Sequence, residues 1–413
     1  MRNDVVERFT RYVKIDTQSR EPETQEDFNK YPSTEKQKDL GKQLLSELQS
    51  IGLEVDMDDW GYVMATIPSN VDHDVPVIGL ISHIDTSPAA SGTNVVPVFH
   101  DNYNGGEIYF SKNPGQVLST DDNPDLKNKI GHTIITSDGS TLLGADDKAG
   151  VAEIMTAARY LVEHPELKHG KIRLGFTCDE EIGAGVNHFD IQKFGAKFAY
   201  TVDGEILGEI ENETFCADAA ELEVRGIDIH PGMAKDRLVN AVLIASKFIT
   251  MLPRDRAPET TEKMQGYVHA YTINGGVDRA VVKMIVRDFA DSGLREFESM
   301  MNGFVDQLKS EFPKAELKLT IREQYKNMKY YLQDFPEVTD KALEAAKRAG
   351  LNPVLASIRG GTDGSRLSAM GLPTPNIFTG GHNFHSTKEW ISVSDMEMTV
   401  KTLIELTQVW AER

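Results

Sequence analysis

Hydrophobic and polar positions recur along this chain in two periods, and the switches between them mark its elements. In 34–51, Leu40, Leu44, Leu45, Leu48 and Ile51 share one stripe of an amphipathic helix, and Gly52 stands where a C-terminal cap belongs. Residues 4–13 read as an earlier helix, with Asp4 and Glu7 spaced as a capping box. The polar stretch 17–32 reads as a loop. Strands are expected at 54–57 and 62–67, and the mostly apolar run 75–82 reads as a buried central strand ending at His83-Ile84-Asp85. Residues 86–140 are irregular and rich in Gly, Pro and Asn, with short strand-like pieces such as 133–136. Gly144-Ala145-Asp146-Asp147-Lys148-Ala149-Gly150 then opens a helix to 162, whose apolar face is Val151, Ile154, Met155, Ala158 and Leu161. Ile172, Leu174 and Phe176 alternate with Lys171, Arg173 and Gly175 in a strand that runs into Asp179-Glu180-Glu181. A short strand, 198–202, ends at Asp203.

From 214 the pattern changes to strand 214–225, helix 238–252, strands 267–273 and 280–289, helix 292–311 and strand 315–323. That β-α-β-β-α-β order is the split-βαβ, ferredoxin-like arrangement. After Asp334 the α/β alternation resumes, with a helix at 336–349, a Gly-rich loop at 359–365 and a last helix from Ser394. The expected fold is α/β: a larger domain with a mixed sheet flanked by helices, in two parts (1–213 and 327–413). An α+β ferredoxin-like domain is inserted at 214–326.

Composition narrows the class. A chain of 413 residues suits two domains, and 40% hydrophobic with 26% charged residues is ordinary for a globular protein. No apolar run approaches a membrane span, and the first residues lack an apolar signal region. Cys178 and Cys216 are the only cysteines, so a disulfide framework is excluded and a reducing cytoplasm is expected. A net charge of -20 argues against nucleic acid and anionic membranes as partners.

The chemistry concentrates at strand ends. Three consecutive acids repel unless cations or protons accompany them. Asp179-Glu180-Glu181 is therefore either a solvated turn or a site where one glutamate holds a metal and its neighbour faces a substrate. His83, Asp146, Glu181 and Asp203 all lie at or just beyond predicted strand ends, the edge at which open α/β sheets bind ligands. His385, in Asn383-Phe384-His385-Ser386-Thr387-Lys388-Glu389, is a fifth candidate. Two histidines with three carboxylates suit zinc or a similar divalent ion rather than calcium, and five ligands suit two ions sharing one carboxylate. Asp85, two residues beyond His83, can accept the second ring N–H of that histidine. Asp146-Asp147 at a helix start, taken without context, is better explained as N-terminal capping. Cys178 reads as a core residue, since no histidine is placed to activate it.

His83-x-Asp85, Gly144-Ala145-Asp146-Asp147-Lys148-x-Gly150, Asp179-Glu180-Glu181-x-Gly183, Val202-Asp203-Gly204 and the late His385 occur in an order that resembles the M20 dizinc metallopeptidases. The resemblance covers nearly the whole chain. The long 86–140 segment, Arg359-Gly360-Gly361-Thr362-Asp363-Gly364-Ser365 and Gly381-His382-Asn383-Phe384-His385 are similar to the branch of that family that cleaves tripeptides. The resemblance implies two zinc ions per chain. His83 and Asp203 would hold the first, Glu181 and His385 the second, and Asp146 would bridge them. Glu180 would be the general base acting on a metal-bridging water, and Asp85 would orient His83. His382 is the near competitor to His385, whose position in the family pattern is favoured.

The resemblance also implies that the inserted domain is a lid or dimerisation domain. The segment Arg225-Gly226-Ile227-Asp228-Ile229-His230-Pro231-Gly232 resembles one whose histidine reaches the substrate, although His230 also reads as a turn residue. Asn274-Gly275-Gly276 reads as a substrate contact or a plain hairpin turn. Arg287 could pair with Asp288 or a surface acid, but the family places an arginine there against the substrate carboxylate. Arg359 is a second cationic candidate; its glycines lack the strand and lysine of a P-loop. The expected protein is a cytoplasmic dizinc aminopeptidase acting on the N-terminal bond of tripeptides, with a homodimer implied. Alternatives are a dipeptidase, an N-acyl-amino-acid deacylase, a desuccinylase, and a non-catalytic peptide-binding protein.

Overall fold

Residues 1–22, 27 and 30–412 are described by the computed structural model. Of the loop expected at 17–32, residues 23–26 and 28–29 lie outside the described residues. In chain order, helices α1 (Arg2–Tyr12) and α2 (Gln37–Ser50) precede strands β1 (Glu54–Met57), β2 (Val63–Ile67) and β3 (Ile78–His83). Four short strands follow: β4 (Val98–His100), β5 (Ile108–Phe110), β6 (Asn113–Leu118) and β7 (Ile134–Thr136). Next come α3 (Ala145–Glu163), β8 (Ile172–Thr177), α4 (Ile191–Phe194), β9 (Phe198–Gly204) and β10 (Glu209–Thr214). Then follow β11 (Cys216–Arg225), α5 (Ala241–Met251), β12 (Tyr267–Gly275), β13 (Arg279–Asp288), α6 (Asp291–Glu311) and β14 (Glu316–Tyr325). The chain ends with α7 (Lys329–Leu332), α8 (Pro336–Arg348), β15 (Val354–Ile358), α9 (Asp363–Ala369), β16 (Asn376–Phe378), β17 (Gly381–His382), β18 (Trp390–Ser392) and α10 (Val393–Ala411).

The chain divides into two compact units. The first comprises 1–212, 331–356 and 362–413. Its main sheet has the order β1-β2-β8-β3-β9-β16-β10-β15 and is mixed. β8, β3, β9 and β16 run parallel, whereas β1 pairs antiparallel with β2, β2 with β8, and β10 with β16. All six residues of β3 are buried, as expected of a strand with helices on both faces. Leu40, Leu44 and Leu48 of α2 are fully buried in the same core as Val5 and Phe9 of α1, Ile154 and Met155 of α3, Ala345 of α8 and Val400 and Leu403 of α10. A second sheet, β17-β18-β7-β4, carries the loop that bears His385.

The second unit comprises 213–330 and 357–361. Its antiparallel sheet has the order β12-β13-β11-β14, with α5 and α6 covering it through Ile244, Phe248, Phe297 and Met301. Residues 357–361, read from the sequence as part of the first domain, belong here for visible reasons. Arg359 Nη1 donates to the carbonyls of Lys263 (2.6 Å) and Gln265 (2.9 Å), and Gly360 O accepts from Phe215 N at 3.2 Å.

Two expectations about helix starts need correction. α1 begins at Arg2 with Met1 as a cap that makes no side-chain bond, so Asp4 and Glu7 form no capping box. Asp4 lies within the first turn and pairs with Arg8 at 3.3 Å. Asp146 and Asp147 have non-helical dihedrals, so regular helix begins only after them, and their side chains are turned to other work. Among the described residues, no helix is long and apolar enough to cross a membrane.

Candidate metal centre and active site

Parallel strands end together at one edge of the main sheet, and five short segments there bring the acids and histidines into contact. β3 delivers His83, fully paired with the neighbouring strand up to Thr177. β8 stops at Thr177, Asp179 takes a left-handed φ of 62°, and Glu180 and Glu181 follow in a single 3₁₀ turn closed by Gly183. β9 delivers Asp203. The kinked start of α3 delivers Asp146, and the turn between β17 and β18 delivers His385, itself left-handed at φ 62°.

Asp146 is the hub. Its Oδ1 lies 2.9 Å from His83 Nε2 and its Oδ2 lies 3.0 Å from His385 Nε2. His83 Nε2 also approaches Asp203 Oδ1 at 3.5 Å, and His385 Nε2 approaches Glu181 Oε2 at 2.7 Å. On the far side of His83, Nδ1 is 3.3 Å from Asp85 Oδ1. The structure thus brings together His83, Asp85, Asp146, Glu180, Glu181, Asp203 and His385. His382 stays out: its ring stacks on Trp390 with centroids 4.0 Å apart.

The electrostatics match a cluster built for cations. Burial pushes Glu181 up to about 8, with the Asp146 charge adding to it and His385 opposing. Burial likewise raises Glu180 well above the usual carboxylate range and raises Asp203. Burial would raise Asp146 too, but hydrogen bonds from His385 and His83 outweigh it and pull that carboxyl well below its ordinary value. His385 is pushed up to about 11 by its bonds to Asp146 and Glu181 against the opposing effect of burial.

The donor set fits divalent cations. Ligand atoms of His83, Asp146 and Glu181 fall within 4.8 Å of one another, as do those of His83, Asp147 and Asp203. Glu181 Oε1 is buried without a protein partner, which a buried carboxylate oxygen tolerates poorly unless a cation or water meets it. These residues can hold metal ions.

Some supporting residues were not read from the sequence. Asp147 accepts the backbone N–H of His83 at 3.1 Å and the Ser82 hydroxyl, so it fixes the end of β3 rather than capping a helix. Asp179 accepts from Ser33 N (2.5 Å), Ser33 Oγ (2.5 Å) and Gln37 Nε2 (2.6 Å), which anchors the turn bearing the two glutamates. Asp363 accepts from Thr177 Oγ1 at 2.8 Å and is pushed by burial up to about 7. Their presence in motifs was the only signal available, since each acts on partners far away in sequence.

His230, Asn274, Arg287 and Arg359 all lie in the second unit. His230 is exposed and its Nδ1 accepts from Gly232 N at 3.2 Å. Asn274 is exposed beside the β12–β13 turn. Arg287 Nη1 donates to Asp218 O (3.2 Å) and Val286 O (3.0 Å), and its guanidinium lies 5.6 Å from the Tyr325 ring centroid. Arg359 lies over Phe215 at 5.2 Å and Tyr267 at 5.8 Å.

Residues 137–408 match the model of peptidase family M20/M25/M40. A peptidase T of Geobacillus sp. (strain WCH70) is 47% identical over 414 aligned residues, covering 100% of both chains. The fold resembles the crystal structure of an aminopeptidase from Bacillus cereus ATCC 10987, with a TM-score of 0.77, 24% identity, and coverage of 100% of this chain and 99% of that one. It also resembles a dinuclear metal-binding M20 peptidase from Bacillus subtilis, with a TM-score of 0.66, 16% identity, and coverage of 99% and 98%. The chain belongs to peptidase family M20/M25/M40 and is a metallopeptidase. Within that family it stands with the peptidases T, which it matches from end to end.

Proposed function

We propose that this chain is a dizinc aminopeptidase that removes the N-terminal residue from tripeptides. The observation that carries the reading is the Asp146 carboxylate, each of whose oxygens meets a different histidine. That arrangement supports a carboxylate shared by two ions, with His83 and Asp203 serving one and Glu181 and His385 the other. Bound there, two zinc ions would polarise the scissile carbonyl and acidify the attacking water.

The remaining steps belong to the chain. Glu180, beside a ligand but free of the Asp146 contacts, takes a proton from the attacking water and delivers it to the departing amine. Burial raises this carboxyl above the ordinary carboxylate range, which suits a group that must hold a proton before releasing it. Asp85 orients His83. A cavity of about 320 Å³ has His385 in its wall together with Asp122, Asp125 and Glu205, and no lysine or arginine lines it. Such a wall suits the ammonium of a free amino terminus, which has three donors and no acceptor. We assign residues 214–326 to substrate binding and dimerisation, and His230, Asn274, Arg287 and Arg359 to substrate contacts. We further place the enzyme in the cytoplasm.

The test is a turnover screen of the zinc-loaded protein on di-, tri- and tetrapeptides and on N-acetyl amino acids. Free tripeptides should be the preferred substrates. Preference for dipeptides or for N-acyl amino acids would move the chain to a dipeptidase or deacylase reading.

A further inference from the structure

We infer that Glu389 is a positioning residue of the metal centre, a buried carboxylate that holds the backbone of Asp146 in the place where its side chain can meet both histidines. The inference rests on the reading of Asp146 as a metal ligand. Glu389 is 1% exposed. Its Oε2 accepts the N–H groups of Leu143 at 2.6 Å and Gly144 at 2.7 Å, and its Oε1 accepts the N–H of Asp146 at 3.0 Å.

The first N–H groups of a helix have no partner within it. Here the need is greater, because Asp146 and Asp147 depart from helical dihedrals and Gly144 is left-handed at φ 83°. A side chain 243 residues away in sequence supplies the missing acceptors. Both carboxylate oxygens are used, and an amide could not replace them, since its NH₂ would face an N–H donor.

Glu389 also lies four residues after His385. The intervening turn is tied to itself: Ser386 Oγ donates to Asn383 O at 2.7 Å and Asn383 Nδ2 donates to Lys388 O at 3.1 Å. β18, which begins at the next residue, pairs with both β17 and β7. One anchored turn therefore presents His385 and clamps the backbone of Asp146, the residue His385 touches. The separation of the two ligands is set by a single rigid segment, as tight metal sites require of the groups that orient their ligands.

The experiment compares the parent, Glu389→Gln and Glu389→Asp in full-length protein. Zinc affinity and stoichiometry are read by chelator competition, and the thermal midpoint is read on the metal-free form. Glu389→Gln should remain folded and bind zinc roughly 10–100-fold more weakly, the usual cost of losing a group that orients a ligand. Glu389→Asp, which keeps the charge but shortens the reach, should fall between. A purely structural carboxylate would lower the metal-free midpoint and leave zinc affinity of the folded protein at the parent value, and that result overturns the assignment. If Glu389→Gln does not fold, Glu389→Asp decides by the same criterion; failure of both to fold makes Glu389 a determinant of the fold and overturns the assignment as well. A parent that binds no divalent ion would instead overturn the metal-centre reading itself, and this assignment with it.

Discussion

The Asp85 carboxylate accepts the backbone N–H of Glu180, with Oδ1 3.0 Å from that nitrogen. Its other oxygen accepts the N–H of Glu181 at 3.2 Å, and Oδ1 also lies 3.3 Å from His83 Nδ1. His83 Nδ1 is also hydrogen-bonded to the backbone carbonyl of Asp85 at 3.1 Å, so one buried residue both faces that ring nitrogen and places the two adjacent glutamates, whose side chains then do different things. Glu181 reaches His385, while Glu180 makes no contact with the histidines or with Asp146 among the bonds of the cluster.

That division of labour separates two variants. Glu180→Gln should retain both metal ions and lose turnover by about 10²–10⁴-fold, the contribution of a general base. Glu181→Ala should lose metal first, showing fewer than two ions per chain after dialysis. Metal analysis beside kcat settles both assignments: near-parent kcat in Glu180→Gln removes the base, and two retained ions in Glu181→Ala remove the ligand.

Much of this centre was legible because strongly periodic elements end at it. The leucine stripe of α2, the apolar run of β3 and the alternation of β8 leave little room for another reading, and candidate metal-holding residues stand at or just after the ends of β3 and β8. β10 and β15 to β18 were not anticipated. Strands of two or three residues such as β16, β17 and β18 are too short to show a period, and β15 is a sheet edge with Val354 and Leu355 exposed. The clamps were also hidden. Glu389 and Asp179 work on groups more than a hundred residues away, and no local pattern announces that.

Gly150 explains the last position of its motif. A Cβ there would stand 1.9 Å from the carbonyl oxygen of Val202 and 2.5 Å from Asp147 Oδ1, so α3 can approach β9 only through a glycine. Gly150→Ala should cost about 1–3 kcal/mol or more, as overpacking of a rigid core does. Because Val202 precedes Asp203, zinc affinity should fall too. A urea midpoint equal to that of the parent would show that the helix can move aside.

His382 gives a pH signature. Burial, with the nearby Lys129 charge adding to it, pushes its pKa down to about 3, and Nε2 has no partner. Above the ordinary histidine value of about 6.5 the ring is neutral folded or unfolded and contributes no pH dependence. Between about 6.5 and 3 the unfolded chain binds the proton and the folded chain does not, so stability is lost as pH falls through that window. His382→Phe keeps a ring on Trp390 and removes the titration. Its unfolding midpoint should therefore drop less than that of the parent between pH 7 and pH 4, and equal drops would count against this role.

The two arginines should behave differently. Arg359 spends Nη1 and Nη2 on Lys263 O, Gln265 O and Thr261 Oγ1, so Arg359→Ala should lower the thermal midpoint of the second unit as well as weaken the proposed substrate contact. Among the described hydrogen bonds Arg287 spends only Nη1, on Asp218 O and Val286 O, so under the proposed reading it is the better partner for a substrate carboxylate, whose bidentate match is geometrically strict. Tripeptide amides should be poorer substrates than free tripeptides, and Arg287→Ala should narrow that gap by harming the free acid more. Equal kcat/KM for acid and amide in the parent would remove the carboxylate clamp.

The amino terminus offers the sharpest division between an aminopeptidase and its deacylase relatives in mechanism. The cavity beside His385 is walled by Asp122, Asp125 and Glu205 with no opposing lysine or arginine, and the Glu205 backbone is held by Gly380 N at 2.8 Å. A free peptide brings an ammonium to that wall, whereas an N-acetyl peptide brings a neutral amide and a methyl group. A charge-assisted hydrogen bond of about 1.5–3 kcal/mol corresponds to about 10–100-fold in rate once it is made in the transition state. N-acetyl tripeptides should therefore fall at least that far below free tripeptides in kcat/KM. Glu205→Gln should depress turnover of the free peptide and leave the acetylated one nearly unchanged. Should the acetylated peptides be cleaved as fast as the free ones, the wall does not read the amino terminus, and should they be cleaved faster, the same metal chemistry would belong to a deacylase.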